Sequence, residues 1–288
     1  MSQLQTFSDA LSGIVGSAAP GVVAVHSRRS RASGFVWRPG LIVTADEALA
    51  DEGEIAVTLP GGETAAATLA GRDPTTDVAL LRVDRADLRP AMLHSGSVAA
   101  GALAIVVAAN AGAAAAALGV VSVAGGGWRS LRGGVIDSRI ELDVSLRRSA
   151  EGSLVLDASG SGIGMAVFGP RRRVLVIPSA TIERVAARLD SHGRIARCYL
   201  GLGLQPVRLD DAGVGAMVMS VDASGPGATA GVRQGDVIVA WNGQPIRGFH
   251  TLLDELGPES VGVAVLLSLR RAGEPIEKSL TIGERPEA

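Results

Sequence analysis

The chain has 288 residues, more than one hydrophobic core usually organises, so two domains of unequal size are expected. Its 27 basic and 29 acidic side chains leave a formal net charge of −2. That balance provides no electrostatic footprint for nucleic acid or for an anionic membrane surface, and nucleic acid is excluded as a partner.

The stretch Met1 to Ala19 has no Lys or Arg ahead of its apolar residues and carries Asp9, which argues against a secretory signal and reads as a short helix. From Val22 to about Pro178, short apolar runs such as VVAV, GFVW, LIVT and IAVTLP alternate with turn signals such as Gly61-Gly62. That pattern predicts an all-β barrel or sandwich. There is no strand-helix alternation, so a nucleotide-binding α/β sheet is not expected, and the Gly125–Gly127 cluster is only a loop signal.

The segment Val98 to Trp128 carries no charged side chain and is long enough on paper to span a bilayer. Its small residues, flanked by the apolar runs Leu103–Val107 and Leu118–Val123, fit two buried strands joined by a loop equally well; periodicity does not separate the two. No membrane span is expected, because Gly-rich interruption is not favoured in a lone span.

Between Ser179 and Arg197 the period changes to that of a helix, with Ile182, Val185, Ala186 and Leu189 on one face. Ser179 and Glu183 sit near its start and Gly193 just past its end. This helix is expected to close the first domain. A second set of strands follows, YLGLGL, AMVMSV, DVIVAWNG and VAVLLSLR, with a helical stretch at Phe249–Leu256, together a module of about 85 residues. The single cysteine, Cys198, cannot form an intrachain disulfide and reads as a structural thiol near the domain junction.

Several of these segments, in order, resemble the HtrA (DegP-like) serine proteases: SGFVW at Ser33–Trp37, LIVTADEAL at Leu41–Leu49, GRDPTTDVALLRV at Gly71–Val83, VIPSATIERV at Val176–Val185, and the carboxy-terminal region. The resemblance implies a mainly β fold. A chymotrypsin/trypsin-like double β-barrel would occupy residues 1–190 and a small α+β PDZ domain residues 199–284, with 191–198 as linker. In that family the stretch like Thr44–Leu49 carries the histidine base, where this chain has Glu47. Asp77 stands where the family keeps the carboxylate that orients the histidine. Anchoring DVSLRRSAEGSLVL on Asp143 and Leu156–Asp157 places Glu151 at the nucleophilic serine, and Arg148-Ser149-Ala150 replaces the Asn-Pro-Gly that shapes the oxyanion loop.

Acyl transfer needs a hydroxyl or thiol with an adjacent base, and backbone donors aimed at the developing oxyanion. Carboxylates at the base and nucleophile positions supply neither, so Glu47, Asp77 and Glu151 read as a degenerate triad and no catalytic residue is expected to be active. The histidines His26, His94, His192 and His250 all fall away from the place of Glu47. The alternative is an active endopeptidase that uses a displaced serine, Ser149 or Ser153. Three converging carboxylates would share protons or hold a cation such as Ca²⁺ or Mn²⁺; otherwise Glu47 and Glu151 are solvated or paired with Arg147, Arg148 or Arg171–Arg173. No metal and no cofactor is the expectation.

In the second domain Tyr199-Leu200-Gly201-Leu202 resembles the carboxylate-binding loop that opens HtrA-type PDZ domains. The Phe249–Leu256 helix would form the other wall of the groove, lined by Leu252, Leu253 and Leu256. The resemblance implies an inactive protease relative that binds polypeptide segments or C-termini as chaperone, adaptor or regulator, by adding the ligand as a strand. It also implies a homotrimer or association with an active relative, with Phe7 the one aromatic available for such contacts near the amino terminus. With no export signal read, the default compartment is the cytoplasm, although the family is usually exported.

Overall fold

The computed structural model describes residues 2–28, 30–51, 53–195, 198–209, 213–246, 256 and 260–285. The chain divides into two compact units, Met1–Ile195 and Ala196–Ala288.

The first unit holds two closed barrels of six strands each. One consists of β1 (Val22–Ser27), β2 (Ser30–Arg38), β3 (Leu41–Thr44), β4 (Ile55–Thr58), β5 (Thr64–Asp73) and β6 (Val78–Val83), in the order β1-β2-β3-β6-β5-β4 and closed by β4 on β1. The second consists of β7 (Leu103–Asn110), β8 (Ala113–Gly125), β11 (Arg139–Asp143), β12 (Ser153–Leu156), β13 (Gly162–Phe168) and β14 (Val174–Pro178), in the order β11-β14-β13-β12-β7-β8. A two-stranded ribbon, β9 (Trp128–Arg129) with β10 (Val135–Ile136), stands between β8 and β11 in the chain. Runs such as LIVT in β3 are buried at every position. Closure removes the unpaired edges that an open sheet would expose.

Of the two strands expected to be buried between Val98 and Trp128, only β7 is. β8 is exposed along most of its length, including Leu118, Val120 and Val123. Its charge-free sequence gave the appearance of core; the barrel buries β7, whereas β8 is exposed on both faces over Ala113–Ala116 and Ser122–Gly125 and buries only Val121.

Helix α1 (Gln3–Ala18) starts at Ser2, whose hydroxyl accepts the Gln5 N–H at 3.2 Å. Its Leu11, Ile14, Val15 and Ala18 form one stripe against the barrel core. Helix α2 (Ser179–His192) packs Ile182, Val185, Ala186 and Leu189 against β5, β6 and β13 and so ties the two barrels together. It ends at Gly193, φ 72°, whose N–H reaches the Leu189 carbonyl at 2.9 Å. Its start differs from expectation: Pro178 occupies the cap position, and the Ser179 hydroxyl donates to the Gly162 carbonyl at 2.7 Å instead of capping the helix.

The second unit is built on a sheet ordered β16 (Leu202–Arg208), β17 (Val214–Val221), β18 (Val237–Trp241), β20 (Ala264–Arg271) and β21 (Glu274–Thr281), with β19 (Gln244–Pro245) paired to β18. β15 (Cys198–Tyr199) pairs with β22 (Gly283–Glu284), and α3 (Pro226–Thr229) lies between β17 and β18 in sequence. Asn242 and Gly243, φ 48° and 77°, make the two-residue turn between β18 and β19. The buried Asp236 takes Arg271 in a two-point ion pair at 2.8 and 2.9 Å and accepts the Arg233 N–H. The helix expected at Phe249–Leu256 falls outside the described residues apart from Leu256, which packs against this unit's core.

Candidate functional site

The site begins with the turn that joins β5 to β6. Buried Asp73 accepts the Thr75 N–H and the hydroxyls of Thr75 and Thr76, which folds DPTTD tightly and delivers Asp77 at its end. Asp77 has a left-handed backbone, φ 59°. Its carboxylate accepts the Glu47 N–H at 2.8 Å, and its carbonyl accepts the Asp46 N–H. Asp46 is itself buried and paired with Arg72 at 2.5 Å.

Glu47, Asp77 and Glu151 offer carboxylate oxygens that all lie within 4.8 Å of one another. Burial pushes the Asp77 carboxyl up to about 7, opposed by the hydrogen bond from Glu47 and reinforced by the charges of Glu47, Glu151 and Asp46. Burial, followed by the charge of Glu47, also raises Glu151 above the usual carboxylate range. The charge of Glu47 thus acts in the same direction on both Asp77 and Glu151.

The arginine that meets this cluster is one the sequence reading did not consider. Arg132, from the turn of the β9–β10 ribbon, reaches Glu47 at 3.0 Å and donates to the Pro74 carbonyl. Ser130 Oγ donates to the Thr75 carbonyl at 2.5 Å, and at Gly134 a side chain would meet that same carbonyl at 2.4 Å, so the ribbon is seated on the turn before Asp77. Of the arginines expected to pair here, Arg148 acts electrostatically on Glu151, whereas Arg173 pairs with Glu141 and Arg172 stacks on Phe168. Nothing local in Ser130–Gly134 marks Arg132 as a partner; only the ribbon's seat brings it in. Beside the cluster lies a cleft of about 660 Å³ bordered by Glu47, Asp51, Arg72 and Arg132. Hard cations take roughly six to eight oxygens, which three carboxylates would reach only in bidentate mode or with added water, and Arg132 already meets Glu47.

The loop before β12 is wound into a 3₁₀ turn, Arg148–Ala150. Within it the Ala150 N–H donates to the Arg147 carbonyl at 2.9 Å and the Glu151 N–H to the Arg148 carbonyl at 3.1 Å. An oxyanion hole needs unspent donors, and the Glu151 amide is spent. Ser153 is fully buried and donates to the Ala150 carbonyl at 2.5 Å. Ser149 is half-buried, and its carbonyl accepts the Ser33 hydroxyl at 2.8 Å. The Glu151 carbonyl accepts the Ser33 N–H, which draws the loop against β2 so closely that a side chain at Gly152 would stand 2.2 Å from the Ser33 carbonyl. Among the described residues no histidine reaches the site: His26 bonds to Thr58, His192 to Ser191, and His94 lies near Asp157.

In the second unit Leu200 is buried, and Gly201 has φ 69° and approaches Gly225 closely. The Leu200 and Gly201 carbonyls accept the N–H groups of Gly227 and Asp222, which anchors the loop. No main-chain acceptor among the described residues takes the N–H of Leu200 or Gly201. Tyr199 donates its hydroxyl to Asp222, and Leu202 opens β16 opposite Val221. Leu252 and Leu253 lie outside the described residues.

Residues 32–165 match the trypsin-like peptidase domain and residues 199–282 the PDZ domain. A protein of Brucella suis named "Probable periplasmic serine endoprotease DegP-like" is 30% identical over 275 residues, covering 89% of this chain and 53% of the relative. A protein of the same name in Chlamydia trachomatis is 31% identical over 273 residues, covering 89% and 54%. The chain thus spans about half the length of these relatives. A serine endoprotease structure from Yersinia pestis superposes with a TM-score of 0.79 at 25% identity, covering 96% of this chain and 98% of that one. An HtrA-type protease AlgW structure with a decapeptide gives 0.79 at 21%, covering 96% and 99%. No helix of the described residues is long and apolar enough to cross a membrane.

Proposed function

Because the chain joins a trypsin-like peptidase domain to a PDZ domain in the HtrA/DegP-like order, we propose that it is a pseudoprotease that binds polypeptide segments or C-termini through its second unit. It would serve as a chaperone, adaptor or regulator. The observation that carries the loss of catalysis is the state of the loop at Glu151: its amide is spent on the Arg148 carbonyl, and its side chain is a carboxylate facing two others within 4.8 Å. A tetrahedral oxyanion formed there would meet negative charge in place of donors. The displaced-serine reading is weakened by Ser153, whose hydroxyl is buried and committed to Ala150.

Peptide binding draws on the matched PDZ domain and on the N–H groups of Leu200 and Gly201, which no main-chain acceptor among the described residues takes and which would receive a terminal carboxylate. Self-association through α1, or pairing with an active relative, would use the exposed Leu4 and Phe7.

The rival reading, an active endopeptidase, draws on the names of the curated relatives. A β-casein digestion assay separates the two. The expected result is no cleavage above a protein-free control. Cleavage by the purified chain that is lost on Ser149→Ala or Ser153→Ala would overturn the pseudoprotease reading. The peptide arm is read by anisotropy: a peptide with a free C-terminus should bind, and its C-terminal amide should bind at least about tenfold more weakly.

A further inference from the structure

The β7–β8 hairpin turns at Ala111-Gly112, both with positive φ (49° and 85°), so it closes on a hydrogen-bonded pair, Asn110 with Ala113. Alternation from that pair leaves the N–H and C=O groups of Ala114, Ala116 and Leu118 pointing away from β7. On that side β8 meets β11 only from Val120 onward, where Val120 pairs with Asp143. Beyond Asp143 the chain departs into Ser145–Ala150, and a groove of about 410 Å³ opens between that loop and the strand. Among the described residues, no strand covers the outer edge of Ala113–Gly119.

Natural sheet edges are usually blunted by Pro, by charged side chains or by bulges. The residues Ala113 to Val120 contain neither Pro nor charge. Half of the groove's lining is alanine, among them Ala108, Ala115, Ala117 and Ala150, with Val106 and Leu146 the larger apolar members, so a second backbone can approach closely along β8. Arg147 also lines it, and this exposed arginine makes no ion pair among the described residues.

We infer that this edge is a second polypeptide-binding site, in the first unit, which takes an extended acidic segment as an added strand beside Ala113–Leu118 with its carboxylates toward Arg147. Main-chain pairing supplies the affinity, the alanine lining restricts the ligand to small side chains on its inner face, and Arg147 selects for negative charge. The site is separate from the carboxylate-binding loop at Tyr199–Leu202 and does not depend on the chain being inactive as a protease.

The test uses the full chain and two fluorescein-labelled hexapeptides with amidated C-termini, one of sequence Glu-Val-Glu-Ala-Glu-Val and one with Lys replacing Glu. Amidation denies them the terminal carboxylate that the second unit would hold. The acidic peptide is expected to bind at least about tenfold more tightly than the basic one, and Arg147→Glu to reverse that order. Saturation with the acidic peptide should slow amide exchange at Ala114, Ala116 and Leu118. The inference fails if the acidic peptide does not bind, if the two peptides bind equally, if Arg147→Glu leaves the preference unchanged, or if the slowed amides lie only in β16.

Discussion

The Asp77 carboxyl is held at about 7 in the folded chain, against 3.8 for an exposed aspartate, mainly because burial penalises its charged form. Between those two values the folded chain holds a proton that the unfolded chain has released. The protonated carboxyl therefore imposes no penalty below about pH 4, and stability is lost progressively as pH rises through 7. A shift of about three units corresponds to a ceiling of about 4 kcal/mol, which coupling to Glu47 and Glu151 reduces to about 2–4 kcal/mol. Asn at position 77 keeps a carbonyl oxygen for the Glu47 N–H at 2.8 Å and cannot ionise, and it tolerates the left-handed backbone at φ 59°. Asp77→Asn should therefore raise stability by no more than about 1 kcal/mol at pH 4.5 and by about 2–4 kcal/mol at pH 8.5. Urea unfolding would be followed by the fluorescence of Trp37 and Trp128, which lie in the first unit, in a Trp241→Phe background. A variant less stable than the parent at pH 8.5, or a difference that does not change with pH, would refute the account of the cluster.

Gly152→Ala should cost at least about 3 kcal/mol, measured as a lowered thermal midpoint of the first unit, because φ is +82° and the new methyl would stand 2.2 Å from the Ser33 carbonyl. Arg132→Gln removes an ion pair between half-exposed groups and should change stability by less than about 1 kcal/mol. It should nonetheless raise further the pH at which Asp77 and Glu151 titrate, by removing the positive charge beside Glu47, and NMR titration of their side-chain carboxyl carbons would read this. Asp236→Asn breaks the two-point pairing with Arg271, which holds the aspartate below the usual carboxylate range, and should destabilise the second unit by about 2 kcal/mol in a melt followed at Trp241. Gly201→Ala, with φ 69° and a neighbouring backbone at 2.8 Å, should distort the loop and weaken binding of a free C-terminus about tenfold or more, while a C-terminal amide gains nothing.

Much of the fold is legible in the sequence because its signals are local. The period of Ile182, Val185, Ala186 and Leu189 marks α2, Gly193 marks its end, and the Asn242-Gly243 turn marks a hairpin. The errors lie where one pattern serves two environments. An uncharged run of alanines is consistent with core, yet β8 leaves it exposed on both faces, and small apolar residues are common on surfaces as well as inside. Ser179 looked like a helix cap by position, but its hydroxyl had a buried carbonyl of β13 within reach.

What the sequence determined by itself was the chain order of its elements, the two-part organisation, and the chemical identity of the residues at the site: carboxylates at 47, 77 and 151, with no histidine or serine in those places. The tertiary structure decided that these carboxylates share one location, that Arg132 meets them, that Ser153 is sealed beneath its loop, and that the Glu151 amide is spent. These are contacts between segments far apart in the chain, set by barrel closure and by the seat of a ribbon. Local periodicity carries no information about such contacts, because they depend on which surfaces are left to meet once each barrel has closed.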